Sequence, residues 1–172
     1  MKRTLSLLAS VLMLLPLFSC TKENQTTIEK TWVVSAKENP SLDLDDMPGE
    51  YMVVDLSESG KINIGILMNA ELAEAVNSLA DAAIAKENDV LLMPLPFSDV
   101  TISASGKSSG TISVTTGEGS LTFNYSKMTR TYVEVSLQDG DSEGQDVIAK
   151  LHTPKSIGLK LGNYIPTPEG IF

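Results

Sequence analysis

Side chains able to do chemistry are few in this chain. Its 172 residues include one histidine and one cysteine, beside 22 acidic residues. The densest acidic run places Asp139, Asp141 and Glu143 at the first, third and fifth positions of a calcium-loop pattern. The twelfth position is Lys150, where such a loop needs a glutamate. These three acids are therefore weak calcium candidates, and a solvated hairpin loop is the alternative interpretation.

The single histidine, His152, limits the catalytic chemistry that the sequence can support. A Ser-His-Asp site needs a nucleophile placed on this imidazole, and no G-x-S-x-G turn accompanies it. Zinc sites of the Cys/His type need more such residues than the chain has. Paired acids such as Asp55 and Glu58 suit a glycosidase, but the sequence does not set their separation. We therefore expect a non-catalytic protein without a cofactor, and an enzyme is the third-ranked alternative.

Cys20 is the one residue whose position indicates a modification. It follows a basic start, Lys2 and Arg3, and an apolar stretch over residues 5–18. That stretch is too short to cross a bilayer as a helix, so residues 1–19 are predicted to be a signal peptide. A lone cysteine forms no disulfide within its own chain, and core packing must then hold the exported domain.

The residues before Cys20, Leu17-Phe18-Ser19, resemble the lipobox of bacterial lipoproteins. The resemblance implies cleavage before Cys20, lipidation of its thiol with an acyl chain such as palmitate, and a membrane as the first partner. The polar stretch of residues 21–27 follows, and residues 20–29 are predicted to be a flexible tether. Lys22 and Glu23 resemble the surface-export signal of Bacteroidota-type lipoproteins. They imply attachment to the outer membrane of the cell envelope, with the periplasmic or surface face left open.

The charge balance excludes some partners. Removing the predicted leader leaves 11 basic against 22 acidic residues, a net charge of −11. Such a surface repels nucleic acid and anionic lipid headgroups, so neither is expected to bind the domain itself. Residues 30–172 are long enough for one domain with its own core.

The elements that position these residues are mainly strands. Alternation with period two begins at Thr31 and predicts eight or nine short strands. They cover residues 32–34, 51–56, 61–66, 100–104, 111–115, 121–125, 132–137, 147–151 and 157–161. Short connections make most neighbours antiparallel, and one apolar face per strand implies a closed barrel or a sandwich. The predicted class is mainly β, and an antiparallel up-and-down β-barrel is preferred.

Residues 69–87 interrupt this pattern and predict one inserted amphipathic helix. They contain seven alanines and neither glycine nor proline, and Asn69 is placed to cap the helix. Its narrow apolar stripe consists of Leu72, Val76, Leu79 and Ala83. Packing against the sheet is the preferred interpretation, and a lid over one barrel end is the alternative.

Residues 90–97 form the most apolar stretch outside the leader. Pro94 and Pro96 exclude a regular central strand, so an extended loop is predicted there. The candidates for lining an apolar cavity in this loop are Leu92, Met93, Leu95 and Phe97. Ordinary core packing is the alternative for all four.

Lys30-Thr31-Trp32 at the first strand, with the hairpins that follow it, resembles the lipocalin-like (calycin) domains of small Bacteroidota lipoproteins. The resemblance implies a β-barrel in which Trp32 is a structural plug at the closed end. Lys30 stands where a lipocalin has glycine. We expect a membrane-anchored, non-catalytic protein that binds a small apolar ligand in the barrel. The alternative is an envelope interaction or inhibitor protein with a filled barrel, whose partner is another envelope protein.

Overall fold

The computed structural model describes residues 26–42, 44, 47–95, 97–117, 119–137 and 147–168. The predicted signal peptide, Cys20 and the first part of the tether lie outside these residues. The calcium candidates Asp139, Asp141 and Glu143 also lie outside them, as does the side chain of Phe97.

In the described residues, ten strands form one sheet. They are β1 (Thr31–Ser35), β2 (Tyr51–Asp55), β3 (Asn63–Leu67), β4 (Val90–Leu92), β5 (Phe97–Ala104), β6 (Gly110–Thr116), β7 (Gly119–Ser126), β8 (Tyr132–Leu137), β9 (Ile148–His152) and β10 (Tyr164–Pro166). Their order in the sheet is β10-β4-β3-β2-β1-β9-β8-β7-β6-β5. In the part of the chain that the structure describes, no ladder joins the edge strands β5 and β10, so the sheet is not closed into a barrel. The mainly β class with one helix is confirmed.

Alternating side chains give the sheet two apolar faces. On β1, Trp32 and Val34 lie on the inner face, and Val33 lies on the outer face. Trp32 shares one buried cluster with Val114 of β6, although three strands separate β1 from β6 in the sheet. The sheet must therefore curl, so that the inner faces of distant strands meet.

All ladders of the sheet in the described residues are antiparallel except that of the last strand. β10 pairs in parallel with β4, with Tyr164 opposite Val90. Between β9 and β10 the chain makes a 3-10 turn, Pro154–Ile157, and then crosses the outer face. Ile157, Leu159 and Leu161 pack there against buried valines of the sheet. The prediction of a strand over residues 157–161 is therefore wrong, because these side chains cover the sheet instead of extending it.

One α-helix, α1 (Ala70–Ala80), follows β3. The Asn69 side chain accepts a hydrogen bond from the Leu72 N–H, which confirms the predicted cap. The helix ends at Asp81 in a left-handed conformation, earlier than predicted. Val76 is buried, but Leu79 is 61% exposed, so the packed stripe is narrower than the sequence indicated. The helix packs on Met68 and Leu91, as the preferred interpretation required.

Candidate ligand cavity

A cavity of ≈ 380 Å3 lies on the inner face of the curled sheet. Strands β1, β2, β3, β6, β7, β8 and β9 all contribute side chains to its lining. Residues next to the strands complete it, namely Ile28, Leu42, Leu56, Ile62 and Val147. The period-two alternation that predicts the strands also explains this lining, because it directs every second side chain inward.

All the described side chains that line the cavity are apolar. Trp32 carries the one N–H donor among them, and it donates a 2.9 Å hydrogen bond to the Ile28 carbonyl oxygen. An ordered water in a cavity needs two to four polar partners, which this lining does not offer. The cavity is therefore suited to hydrocarbon and poorly suited to water or a charged group.

Trp32 is fully buried at the end of β1 where the chain enters the sheet. The Lys30 ammonium lies 4.8 Å from the centre of the indole ring and donates a 2.7 Å hydrogen bond to the Arg130 carbonyl oxygen. Lys30 is itself buried, so this cation–π contact is shielded from solvent. The position where a lipocalin has glycine thus holds a side chain that covers the outside of the tryptophan.

The opposite end of the cavity has an exposed apolar rim. Leu137 at the end of β8 and Val147 before β9 both line the cavity and are 43% and 47% exposed. Leu42, from the segment after β1, also lines the cavity and is half-buried. These three residues were absent from the sequence-based candidates, although alternation along β8 and β9 would have placed Leu137 and Val147 on the inner face.

Three of the four lining candidates from the loop after α1, namely Leu92, Met93 and Leu95, lie outside the cavity lining. Leu92 ends β4 opposite Gly65, and the Met93 N–H continues this pairing by donating to the Ile64 carbonyl oxygen. The Leu95 N–H donates to the Met93 carbonyl oxygen. None of these three residues is among those that line the cavity.

His152 lies on the outer face in a polar cluster. Its Nε2 is 2.9 Å from Glu38 Oε2, and its ring lies 5.1 Å from that of Tyr132. The Tyr132 hydroxyl donates a 2.7 Å hydrogen bond to Glu134, and Lys127 Nζ lies 2.9 Å from the same carboxylate.

The electrostatics of this cluster are those of a satisfied surface network. Hydrogen bonds from Tyr132 and Lys127 hold the pKa of Glu134 below its usual range. Burial, and then the Glu134 carboxylate, raise the pKa of Tyr132 to about 12. The phenol therefore stays protonated near neutral pH and acts as a donor, which does not suit a general base.

The remaining acids considered for catalysis have structural partners. The Asp55 carboxylate accepts hydrogen bonds from the Thr31 hydroxyl and the Ser57 N–H. Glu58 forms an exposed ion pair with Lys61 at 2.6 Å. Among the described residues there is no group of three or more His, Cys, Asp or Glu side chains arranged to hold a metal ion. Nor does any helix in that part of the chain have the length and apolar character needed to cross a membrane.

No protein-family model matches this chain, and the comparisons with curated proteins and with solved structures find no match either. The resemblance to lipocalin-like lipoproteins therefore stays a prediction.

Proposed function

We propose that this protein is a non-catalytic lipoprotein of the cell envelope, anchored to the outer membrane through Cys20, whose β domain binds a small apolar ligand. The observation that carries the proposal is the ≈ 380 Å3 cavity with its apolar lining. Ligand sites in proteins have volumes of about 300–1,000 Å3, so this volume lies within their range.

The volume sets the size of the ligand. An engineered apolar cavity of about 150 Å3 binds benzene, and in the same ratio the present cavity holds roughly 15 carbon atoms. The apolar lining favours a ligand whose buried part carries neither charge nor hydrogen-bonding groups. Any polar group of the ligand belongs at the rim, near Leu137 and Val147, where solvent reaches.

A lipocalin-like, nearly closed barrel is part of the proposal. The turn between β2 and β3 approaches β5, since a Cβ atom at Gly60 would lie 3.9 Å from Asp99 Oδ1. Leu56 before that turn and Val100 of β5 share the inner cluster. These contacts support a barrel whose seam, between β3 and β5, is closed by side chains. Trp32, Ile28 and Lys30 support a closed end near the membrane tether.

Native mass spectrometry of the protein purified from its own host tests the ligand. We expect an additional mass of an apolar compound of roughly 15 carbon atoms. Titration with N-phenyl-1-naphthylamine, a neutral apolar fluorophore, should then show saturable binding that the host ligand displaces. Failure of the wild-type protein to bind either compound would contradict the proposal.

A matched pair of variants localises the binding. Ala149 of β9 lines the cavity, so Ala149→Phe should fill it and abolish saturable probe binding without lowering the free energy of unfolding. Ala80 of α1 is also half-buried and lies outside the cavity lining. Ala80→Phe should bind the probe as the wild type does. Equal binding by both variants would place the ligand elsewhere.

An envelope interaction protein is the second candidate function. Leu121 of β7, Leu137 of β8 and Val147 just before β9 are all exposed and lie on the inner-face side of neighbouring strands, as an apolar contact for a protein partner requires. A ligand-free mass together with a co-purifying envelope protein would favour this function over the first.

A further inference from the structure

The segment Ala36–Leu42, here called the strap, connects β1 to the rim of the cavity. It consists of two 3-10 turns, Ala36–Glu38 and Pro40–Leu42. Four of its seven side chains are exposed, and Ala36, Asn39 and Leu42 are not. Asn39 is 2% exposed, and Leu42 is half-buried and lines the cavity. Ala36 at the β1 end bonds to the Glu50 carbonyl oxygen through its N–H, and beyond it Asn39 and Leu42 are the strap residues buried against the domain.

Asn39 joins the strap to a wall of the cavity. The ladder between β1 and β9 contains Val33 and Val34, and the next residues in register, Ser35 and Lys150, are not paired with each other. The Asn39 carboxamide pairs with Lys150 instead. Its Oδ1 accepts a 2.6 Å hydrogen bond from the Lys150 N–H, and its Nδ2 donates to the carbonyl oxygens of Lys150 and Ser35 at 3.1 and 2.9 Å. Lys150 lies between Ala149 and Leu151, which both line the cavity.

The anchor and the cavity lining are directly connected. The Leu42 N–H donates a 3.0 Å hydrogen bond to the Asn39 carbonyl oxygen, so the position of Leu42 follows that of Asn39. A second contact joins Glu38 of the strap to His152 of β9, but Glu38 is half exposed and such a pair contributes little. Asn39 is therefore the residue whose release would free Leu42.

We infer that the strap is a movable cover of the cavity, that Asn39 anchors it to β9, and that the ligand enters and leaves when this anchor is released. The inference rests on the proposed ligand binding. The anchor consists of hydrogen bonds that water can replace on release. A segment with few buried apolar contacts opens at a lower free energy than the core does. Lids of this kind set the rates at which ligands enter and leave.

The chain contains a matched control for the anchor. Asn77 of α1 holds Ala85 in the same way, since its Oδ1 accepts from the Ala85 N–H at 2.7 Å and its Nδ2 donates to the Ala85 carbonyl oxygen at 2.9 Å. Neither residue lines the cavity. Asn77→Ala thus removes an equivalent backbone clamp at a site remote from the strap.

Stopped-flow fluorescence with N-phenyl-1-naphthylamine, on protein made from the full-length chain, tests the inference. In Asn39→Ala we expect association and dissociation rates that both rise about tenfold or more, because two to three hydrogen bonds no longer hold the strap. The dissociation constant should change less than either rate. Asn77→Ala should keep the wild-type rates. Rates in Asn39→Ala equal to those in Asn77→Ala would overturn the inference.

Hydrogen exchange at the Lys150 amide gives a second readout that does not need the Asn39 variant to fold. In the wild type, a saturating concentration of the probe should slow exchange of the Lys150 amide, because the bound probe favours the closed strap. Leu42→Ala should speed dissociation of the probe, while the Lys150 amide stays protected from exchange. If probe binding left the exchange rate of the Lys150 amide unchanged, the inference that the strap covers the cavity would be overturned. Absence of saturable binding in the wild type would instead overturn the proposed function itself.

Discussion

Two faces of the same strands carry similar side chains and differ in how they are packed. On the inner face, Trp32 and Val54 border an apolar cavity. On the outer face, Val33 and Val53 are as deeply buried as Trp32, but they lie under the segment that carries Ile157, Leu159 and Leu161. Sequence neighbours of the same type thus have different surroundings. The cavity follows from the curl of the sheet, which keeps facing strands apart, while the outer layer closes onto its cover.

The cover of the outer face is held by a buried carboxylate. Asp89 Oδ1 accepts a 2.7 Å hydrogen bond from the Asn163 N–H, and Oδ2 accepts a 3.0 Å bond from the Lys86 N–H. Gly162 is required beside them, since a Cβ atom there would clash with Asp89 Oδ1. On the inner face the strap is anchored instead by the neutral carboxamide of Asn39. The two faces therefore differ in what fixes their covers.

Trp32→Ala should have the largest effect on stability. It deletes a fully buried indole and enlarges the inner cavity, and changes of this type cost about 3–5 kcal/mol. Urea unfolding should show this loss as a lower midpoint with an unchanged slope. Trp32→Phe is the control, and it should lose less because it keeps most of the apolar volume. If both variants lost the same free energy of unfolding, the hydrogen bond from the indole N–H to Ile28, and not the buried volume, would account for the contribution of Trp32 to stability.

Asp89→Ala should have the next largest effect, on the outer face. It leaves two backbone N–H groups without their charged acceptor, and hydrogen bonds to charged groups contribute about 1.5–3 kcal/mol. Amide exchange at Asn163 should rise together with the loss of stability, because the cover is released. Probe binding in the inner cavity should be retained. Loss of binding would show that the two faces are coupled.

A pair of neighbouring substitutions compares the faces directly. Val53→Phe overpacks the closed outer layer and should cost about 1–3 kcal/mol. Val54→Phe adds the same atoms on the cavity side, so it should cost much less while weakening probe binding. Denaturant midpoints of the two variants check the difference. If both variants lost the same free energy of unfolding, the inner cavity would not be open in solution to accept the larger side chain.

The strands could be read from the sequence because their signal is local. β6 and β8 follow the predicted segments to within about a residue or two, since alternation marks both the strand and its buried face. The cap at Asn69 was predictable for the same reason. The early end of α1 was not, because it depends on Asn77 holding the returning chain at Ala85.

The features that the sequence did not indicate depend on distant contacts. β10 pairs in parallel with β4, far away in the chain, and nothing local marks such a partner. The lining of the cavity depends on the curl of the sheet, which the sequence does not show. Leu92 and Met93 were candidates because they are apolar, but β4 lies next to the edge strand β10 and contributes no side chain to the cavity. Asn39 looks like an ordinary turn residue until Lys150 is placed beside it.

The ionisation of Tyr132 on the outer face at alkaline pH should produce the smallest effect. Burial raises the pKa of Tyr132 to about 12 in the folded protein, above its usual value of 10.0. The neutral phenol therefore stabilises the fold fully below pH 10, and this contribution is lost as the pH rises from 10 towards 12. Tyr132→Phe lacks the titrating group, so its urea midpoint should fall less steeply than that of the wild type over this window. Probe binding should be unaffected in both, because Tyr132 and Glu134 face away from the cavity. Parallel loss of binding and stability in the wild type would show that the outer network also holds the inner cavity in shape.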